Sequence, residues 1–208
     1  MAEAAEISPL TLNRLSLYLR CLGELEERGI GRVSSHELAQ RYHLSAAQIR
    51  KDLAQFGEFG IRGVGYDVRH LAARLSSLLG LERRHPMLIV GMGNLGSALA
   101  RYPGFNHGCF EVVAGFDSDP QKVGRRIGAV TVRSVRDLRR VARETGAEIA
   151  CLAVPAEAAA ENFEALCEAG IRSVLNFAPV RLEPRHGVRV KNVDLRIELE
   201  ELAYFLRE

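Results

Sequence analysis

The sequence lacks the features of a membrane-inserted or secreted protein. Its longest uninterrupted apolar stretch is far shorter than the roughly 20 residues that cross a bilayer. The first six residues, MAEAAE, contain neither the basic nor the apolar part of a secretion signal. We therefore expect a cytoplasmic protein with no membrane partner.

Cysteine is scarce, and the charge is nearly balanced. Cys21, Cys109, Cys151 and Cys167 are scattered, with no Cys-x-x-Cys pair and no histidine at ligand spacing, so we interpret them as free thiols and expect no metal. The formal net charge of +2 is too small to indicate a polyanion partner for the chain as a whole. Any nucleic-acid site must therefore be local. At 208 residues the chain has room for two small domains.

One stretch, MLIVGMGNLGSALA from Met87, carries the clearest motif: an apolar strand leads into three spaced glycines and then into a helix. This is the G-x-G-x-x-G pattern of dinucleotide-binding domains in its required setting. Gly91 permits the tight turn, Gly93 removes a side chain that would block a pyrophosphate, and Gly96 lets the helix pack closely on the strand. The free N–H groups of the helix then point at the phosphates. The predicted contacts of this loop with the cofactor are Gly91, Met92, Gly93, Asn94, Leu95 and Gly96.

A carboxylate ends the second apolar strand of this region. Asp117 lies 21 residues after Gly96, where it can accept hydrogen bonds from both hydroxyls of a ribose. It would repel a 2′-phosphate, and no arginine follows it directly, so the sequence predicts NAD+ and NADH as cofactors rather than their phosphorylated forms. A glycine turn that binds nothing is the alternative.

The first 80 residues predict a winged-helix domain. Leucines 12, 15, 19 and 22 share one stripe of a helix over about 9–27, and caps at Ser34 and Ser45 begin two further helices at helix-turn-helix spacing. We expect the third helix to end near Gly57. The glycines that follow, around Arg62, indicate a short β-hairpin with a tight tip.

The third helix carries side chains suited to reading double-stranded DNA. It can lie in a major groove with Gln48, Arg50 and Lys51 reaching base edges or phosphates, while Arg62 projects into a narrow, A·T-rich minor groove. Five bases against three acids, Asp52 included, leave residues 32–62 a surplus of only +2, which favours a dimer. The alternatives are a solvated face or a protein-binding winged helix. The predicted DNA contacts are Ser45, Gln48, Arg50, Lys51, Phe56, Arg62 and Gly63.

The rest of the chain predicts an α/β fold. A connecting helix over 68–80 precedes a domain boundary, with a Rossmann-like domain over 81–193 and a tail over 194–208. Strands and helices alternate, which is typical of a parallel sheet with right-handed crossovers. The predicted strands are 87–90, 111–116, 148–154, 172–177 and a short one near 188–190, and the helices are 94–101, 134–144 and 156–169. The tail predicts an amphipathic helix that needs a partner surface.

No general acid or base accompanies the nucleotide motif. The segments after the later strands, AVP and NFAP, offer no His, Lys or Tyr in a setting that suggests proton transfer, and no substrate domain remains. We therefore infer a cofactor receptor and not an enzyme. An apolar pocket around Val154, Pro155, Phe177 and Pro179 would admit reduced nicotinamide at a lower desolvation cost than the cationic oxidised ring. Asn176 and Ala178 complete the predicted cofactor set.

The order of these motifs resembles the Rex family of redox-sensing transcriptional repressors. The resemblance rests on QIRKDLAQFG, RGVGY, VGMGNLGSAL, YPGF, FDSDPQKVG, LNFAP and NVD, which begin at residues 48, 62, 90, 102, 116, 175 and 192. It implies a homodimer that binds a palindromic operator when the NADH/NAD+ ratio is low and leaves the DNA when NADH binds. It further implies a C-terminal helix exchanged between subunits and a polar switch of Arg20, Tyr102 and Asp194. The family would have an aromatic residue at Leu195.

Two other functions remain open. The first is a small NAD-dependent oxidoreductase. The second is a regulator that reads another nucleotide, such as CoA, on the same scaffold.

Overall fold

A computed structural model describes residues 7–57, 59–61, 63–106 and 108–206. The chain divides into two compact units, the first ending at Arg83 and the second beginning at Arg84.

The first unit has the predicted winged-helix architecture. Its elements are α1 (Pro9–Glu27), β1 (Arg32–Val33), α2 (Ser35–Tyr42), α3 (Ala46–Ala54), β2 (Gly60–Ile61), β3 (Gly65–Asp67) and α4 (Val68–Leu78). Helices α2 and α3 form the helix-turn-helix, and the three strands form an antiparallel sheet in the order β1-β3-β2. Helix α3 ends three residues before Gly57, because the chain turns at Gln55 and Phe56 and Gly57 has a φ of +125°.

The core of this unit lies between α1, α3 and α4. The buried stripe of α1 is Leu15, Tyr18, Leu22 and Leu25, with i, i+3, i+7 and i+10 spacing, and it packs in one cluster with residues of α3 and α4. The predicted stripe was therefore partly wrong, since Leu12 is 37% exposed. Tertiary packing buries a face that includes Tyr18 and Leu25 in place of Leu12 and Leu19.

The second unit is a doubly wound α/β fold, as predicted. Its elements are β4 (His85–Val90), α5 (Asn94–Arg101), α6 (Pro103–Asn106), β5 (Phe110–Asp117), β6 (Arg126–Ile127), β7 (Val130–Ser134), α7 (Leu138–Thr145), β8 (Ile149–Leu152), α8 (Ala156–Glu168), β9 (Ser173–Asn176), β10 (Arg189–Asn192) and α9 (Leu195–Tyr204). Within the described ranges the sheet order is β10-β9-β8-β4-β5-β7-β6, parallel except for the β6–β7 pair.

Helices cover both faces of this sheet. Val90 of β4 belongs to a buried cluster with Leu138 of α7 and Phe163 of α8, whereas the neighbouring Ile89 belongs to a second cluster with Ala100 of α5. Successive strand residues point to opposite faces, so β4 is buried on both sides.

The sequence patterns missed the short elements. Strands β1, β6 and β7 and helix α6 were not predicted, and residues 135–137 form a 3-10 turn ahead of α7 where a continuous helix was expected. Strand β8 ends at Leu152, so the predicted extension to 154 was wrong, and residues 153–155 are loop.

Helix α9 has no buried residue. Its apolar side chains Leu195, Ile197, Leu199 and Leu202 are each at least 60% exposed, and Phe205 beyond its end is 73% exposed. No helix in the described part of the chain is long and apolar enough to span a membrane.

Candidate nucleotide and DNA sites

The strand order creates a crevice at the carboxyl end of β4. The chain runs from β4 to β5 on one side and later returns to β8 on the other side. Loops that leave neighbouring strands in opposite directions leave a gap, and open α/β sheets bind ligands at such switch points. The loop of residues 91–96 lies at this point.

Gly91 and Gly96 are required by packing within the chain. Gly91 has a φ of +93°, and a Cβ atom there would lie 2.8 Å from Cγ1 of Val154 and closer still to the carbonyl oxygen of Ala153. A Cβ atom on Gly96 would overlap the carbonyl group of Gly91. The Gly91 N–H donates to the Phe116 carbonyl at 2.8 Å, which ties the turn to β5. Neither glycine can therefore carry a side chain.

Gly93 differs from these two glycines. Its φ is an ordinary −76°, and a Cβ atom there would meet nothing within 4 Å. Gly93 is the N-cap residue of α5, and no side chain makes a capping hydrogen bond there. The next two residues, Asn94 and Leu95, are exposed. Open space before the free N–H groups of a helix suits an anion, so this cradle fits the predicted pyrophosphate.

Asp117 lies across the crevice at the end of β5, with its side chain 9% exposed. Its Oδ2 accepts hydrogen bonds from the Met92 N–H and from Lys122 Nζ, both at 2.9 Å, and its Oδ1 accepts from the Asp119 N–H at 2.9 Å. Burial alone would raise the pKa of this carboxyl, but the three hydrogen bonds and the Lys122 charge outweigh it and lower the pKa. The carboxylate is therefore ionised at neutral pH, as ribose binding requires.

Sequence reasoning did not assign Lys122. Its Nζ is an ion-pair partner of Asp117, and its side chain is 35% exposed. This ammonium group offsets part of the carboxylate charge, so it weakens the repulsion of a 2′-phosphate that Asp117 alone would cause. The available signal was a lysine five residues after the carboxylate, in the turn that follows β5.

The residues predicted to surround the nicotinamide follow β8 and β9, which are adjacent strands. Val154 and Phe177 are half-buried, Pro155 and Pro179 are exposed, and the Phe177 N–H donates to the Leu152 carbonyl at 2.8 Å, which joins the two loops. The four apolar residues therefore belong to neighbouring loops on one edge of the sheet. Ala178 is buried in the core beneath them.

Asn176 holds the second of these loops. Its Nδ2 donates to the Val180 carbonyl and to Oδ1 of Asn192, both at 2.8 Å, and its Oδ1 accepts from the Ala178 N–H at 3.0 Å. The side chain is 1% exposed. Its amide is thus committed to loop geometry, and any effect on a ligand passes through Phe177 and Pro179.

The outer face of α3 is exposed and basic. Arg50 and Lys51 point to solvent, whereas Ile49 and Leu53 are buried. Arg50 Nη1 donates to Ser35 Oγ at 3.0 Å, and Ser45 caps the helix by accepting from the Gln48 N–H at 3.4 Å. The helix therefore presents cations outward from a fixed position.

The hairpin flanks this face. A groove of about 820 Å³ runs between α3, the start of α2 and the hairpin, and its lining includes Ser35, Arg50, Gly63 and Tyr66. Gly63 is exposed with a φ of +83°, and Phe56 is half-buried against the core, where it supports the helix end. Arg62, predicted to reach the minor groove, lies outside the described residues.

Asp52 was counted among the charges near the DNA, and that interpretation is wrong. It is fully buried on the inner side of α3 and forms a salt bridge with Arg14 of α1 at 2.6 Å. Its negative charge is therefore compensated inside the unit and does not oppose the bases on the outer face. Sequence reasoning missed this pair, because the two residues are 38 positions apart.

The three residues of the predicted switch are all exposed. Arg20 lies on α1, Tyr102 packs edge-on against Phe105 at 5.1 Å between ring centroids, and the Asp194 carboxylate accepts from the Arg196 N–H at the start of α9. Arg20 belongs to the first unit and the other two to the second unit. Their association stays a prediction.

The thiols and the possible metal ligands form no site among the described residues. Cys21 and Cys151 are buried, Cys109 and Cys167 are half-buried, and all four are free. Burial raises the pKa of Cys151 to about 12, so its reactive thiolate form is scarce at neutral pH. No cluster of three His, Cys, Asp or Glu residues suited to a metal occurs in the ranges that the structure covers.

Two family models match the chain, one for each unit. Residues 6–54 match a family described as "Putative DNA-binding protein N-terminus", and residues 82–180 match the "CoA binding domain".

Relatives match nearly the full length. The chain is 43% identical over 205 residues to the redox-sensing transcriptional repressor Rex of Chloroflexus aurantiacus, which covers 98% of this chain and 97% of the relative. It is 44% identical to the protein of the same name from Streptomyces coelicolor, which covers 95% of this chain and 77% of the relative.

Solved structures agree with these relatives. A crystal structure of RSP in complex with β-NAD+ and operator DNA has a TM-score of 0.91 at 35% identity, with 96% of this chain and 92% of RSP covered. A structure of RSP with β-NADH has a TM-score of 0.88 at 33% identity and covers 97% and 95%.

Proposed function

Because this chain belongs to the Rex family of redox-sensing transcriptional repressors, we propose that it binds palindromic operator DNA as a homodimer when the NADH/NAD+ ratio is low. Binding of NADH then releases it from the DNA. One observation carries this function: a nucleotide crevice and an exposed basic α3 face occur in one chain, of which 96–97% matches repressor structures solved with operator DNA and with NADH.

The nucleotide contacts follow from the crevice. The N-terminus of α5 beside Gly93 binds the pyrophosphate, and the ionised Asp117 accepts from the adenosine ribose. The loops of Val154 and Phe177 supply an apolar end in which the neutral reduced ring loses less hydration than the cationic oxidised ring. This difference in affinity is what allows NADH to shift the equilibrium between DNA-binding and released states.

Helix α9 supports the homodimer. Its apolar residues Leu195, Ile197, Leu199 and Leu202 are each at least 60% exposed, and such a helix requires a cover. The partner subunit's surface is the proposed cover, in a domain-swapped arrangement. In this dimer Asp194 at the start of α9 pairs with Arg20 of α1, and Tyr102 completes the switch.

The protein acts as a receptor without catalysing a reaction. Within the described ranges, the loops at the crevice bring no imidazole, ammonium or phenol into a setting for proton transfer to a substrate, and Lys122 is paired with Asp117. The family repressors to which the chain is similar are regulators. Stoichiometric binding with NADH recovered unchanged is the expected behaviour.

CoA remains the second candidate ligand, because residues 82–180 match a CoA-binding family model. Asp117 distinguishes the two: CoA lacks the free ribose diol that this carboxylate is proposed to hold. Asp117→Ala is therefore expected to weaken NADH binding much more than CoA binding.

The function is tested by fluorescence anisotropy on a pool of palindromic duplexes with A·T-rich flanks at fixed salt. Release by NADH but little release by an equal concentration of NAD+ is expected. DNA binding that neither nucleotide alters would contradict the redox function.

A further inference from the structure

Asp52 lies beneath the DNA-facing side of α3 with all of its acceptor sites in use. Oδ2 accepts from Arg14 Nε at 2.6 Å and from the Tyr18 hydroxyl at 2.8 Å. Oδ1 accepts from Arg14 Nη2 and from Gln48 Nε2, both at 2.8 Å. Three of these four donor groups belong to Arg14 and Tyr18 of α1, so the carboxylate joins α1 to one turn of α3.

The carboxylate is held in its ionised form. Burial would raise the pKa of Asp52, but the hydrogen bonds from Arg14, Gln48 and Tyr18 outweigh burial and lower it. An ionised carboxylate only accepts hydrogen bonds. The group that faces Asp52 must therefore be a donor.

This requirement fixes the amide of Gln48. Its NH2 group must face Asp52, and its carbonyl oxygen Oε1 must face away; the reverse orientation would oppose two acceptors. Gln48 is half-buried and makes no hydrogen bond through Oε1 within the described residues. Gln48 and the exposed Lys51 are three residues apart and therefore neighbours on the helix surface, so α3 presents an acceptor of defined orientation beside this cation.

We propose that Asp52, held by Arg14 and Tyr18, is a positioning residue that fixes the Gln48 carboxamide so that Oε1 accepts a hydrogen bond from the exocyclic amine of an adenine or a cytosine in the major groove. These amines are the base-edge donors of that groove. The inference rests on the proposed DNA binding and names the group that α3 reads.

A purely structural role for the pair is the competing explanation. Buried ion pairs contribute little net stability compared with apolar residues of similar size, so stability alone does not account for a buried Asp–Arg pair. It also gives no reason for the fourth donor to be an amide whose Oε1 makes no hydrogen bond within the described residues. The two explanations differ in whether Asp52 affects base discrimination.

The experiment measures operator affinity with single base analogues in the full-length protein. After an operator is selected from a duplex pool, each adenine is replaced by purine and each cytosine by pyrimidin-2-one, which deletes only the exocyclic amine. At one position in each half-site, we expect this deletion to weaken wild-type binding about tenfold. The same deletion should weaken operator binding by Gln48→Ala less than about twofold, because this variant has already lost the acceptor.

The role of Asp52 is tested by Asp52→Asn. Asparagine can donate as well as accept, so both orientations of the Gln48 amide become possible, and the tenfold effect should fall to about threefold. In the double variant with Gln48→Ala, Asp52→Asn should cause no further change in amine dependence. Gln55→Ala is the matched control, because Gln55 is an exposed glutamine at the end of α3 that donates to the Lys51 carbonyl rather than to Asp52. It should keep the wild-type amine dependence.

Stability is followed by thermal unfolding. Should Asp52→Asn fail to fold, the double variant Arg14→Met and Asp52→Asn replaces it, because it also removes the cation that Asp52→Asn leaves without a carboxylate partner.

Two outcomes would overturn the inference. The inference fails if every amine deletion weakens operator binding by the same factor in the wild type and in Gln48→Ala, because Gln48 Oε1 then contacts no base amine. Full amine dependence in a folded Asp52→Asn variant, alone or combined with Arg14→Met, would show that Asp52 does not position Gln48. Failure of the proposed function looks different, because the wild type would then select no operator.

Discussion

Substitutions of the glycines in the 91–96 loop should affect stability and nucleotide binding differently. Gly93→Ala adds a methyl group where no atom lies within 4 Å and the backbone φ is ordinary, so we expect the free energy of unfolding to change by less than about 0.5 kcal/mol. The same methyl group occupies the space predicted for the pyrophosphate. We expect NADH affinity to fall at least about tenfold, or about 1.4 kcal/mol.

Gly96→Ala is the contrasting variant. Its Cβ atom would lie 3.0 Å from the Gly91 carbonyl carbon and closer to the oxygen, and Gly91 is tied to β5 by its own hydrogen bond. The backbone cannot give way easily, so the cost lies near the upper end of overpacking, about 3 kcal/mol. For a unit of this size, such a loss lowers the Tm by roughly 10 °C.

Calorimetry gives the unfolding temperatures, and the quenching or enhancement of NADH fluorescence gives the affinity. Gly93→Ala that is stable and binds NADH like the wild type would refute the assignment of this cradle to the pyrophosphate. Loss of stability in Gly93→Ala comparable to that in Gly96→Ala would refute the claim that only Gly91 and Gly96 have packing roles.

Three further predictions concern other parts of the molecule. Asp117→Ala should weaken NADH binding tenfold or more and raise the relative affinity for NADPH, because Lys122 becomes available to a 2′-phosphate; unchanged NADH binding in a direct titration would exclude the ribose contact. The double variant Leu199→Asp and Leu202→Asp should weaken dimerisation more than 100-fold in analytical ultracentrifugation, because burying each leucine contributes about 1.5–3 kcal/mol. A dimer of wild-type affinity would show that α9 is not part of the interface. The lowered pKa of Asp52 stabilises the first unit at pH values above the unfolded pKa of about 3.9, and this stability is lost as the pH falls through the folded pKa. In Asp52→Asn, the stability of α1 and α3 measured by amide hydrogen exchange should therefore depend less on pH in the acid range. A dependence as steep as that of the wild type would contradict this prediction.

Patterns of local origin could be predicted from the sequence. The helix Pro9–Glu27 was predicted with its observed ends, because Pro9 at its first turn and Gly29 after its end are local signals. The glycine motif and Asp117 were found because their spacing reflects one strand–turn–helix unit. The two-residue strand Arg126–Ile127 is too short for any periodicity to appear.

Contacts between distant positions were beyond the sequence patterns. A carboxylate on a predicted DNA-facing helix is normally exposed, and only the fold brings Arg14 to Asp52 and makes burial tolerable. Lys122 lies only five residues after Asp117 and was not assigned, and Asn176 was predicted as a cofactor contact rather than as the residue that holds its loop. In each case a side chain's partner, and not its type, decides its role.

The coupling of the two ligands is the central claim, and the most direct measurement is the NADH affinity of the full-length protein with and without saturating operator duplex. Because coupling free energies are reciprocal, operator should weaken NADH binding by the same factor by which NADH weakens operator binding, and should weaken NAD+ binding much less. An NADH affinity that saturating operator leaves unchanged would contradict the redox-sensing function.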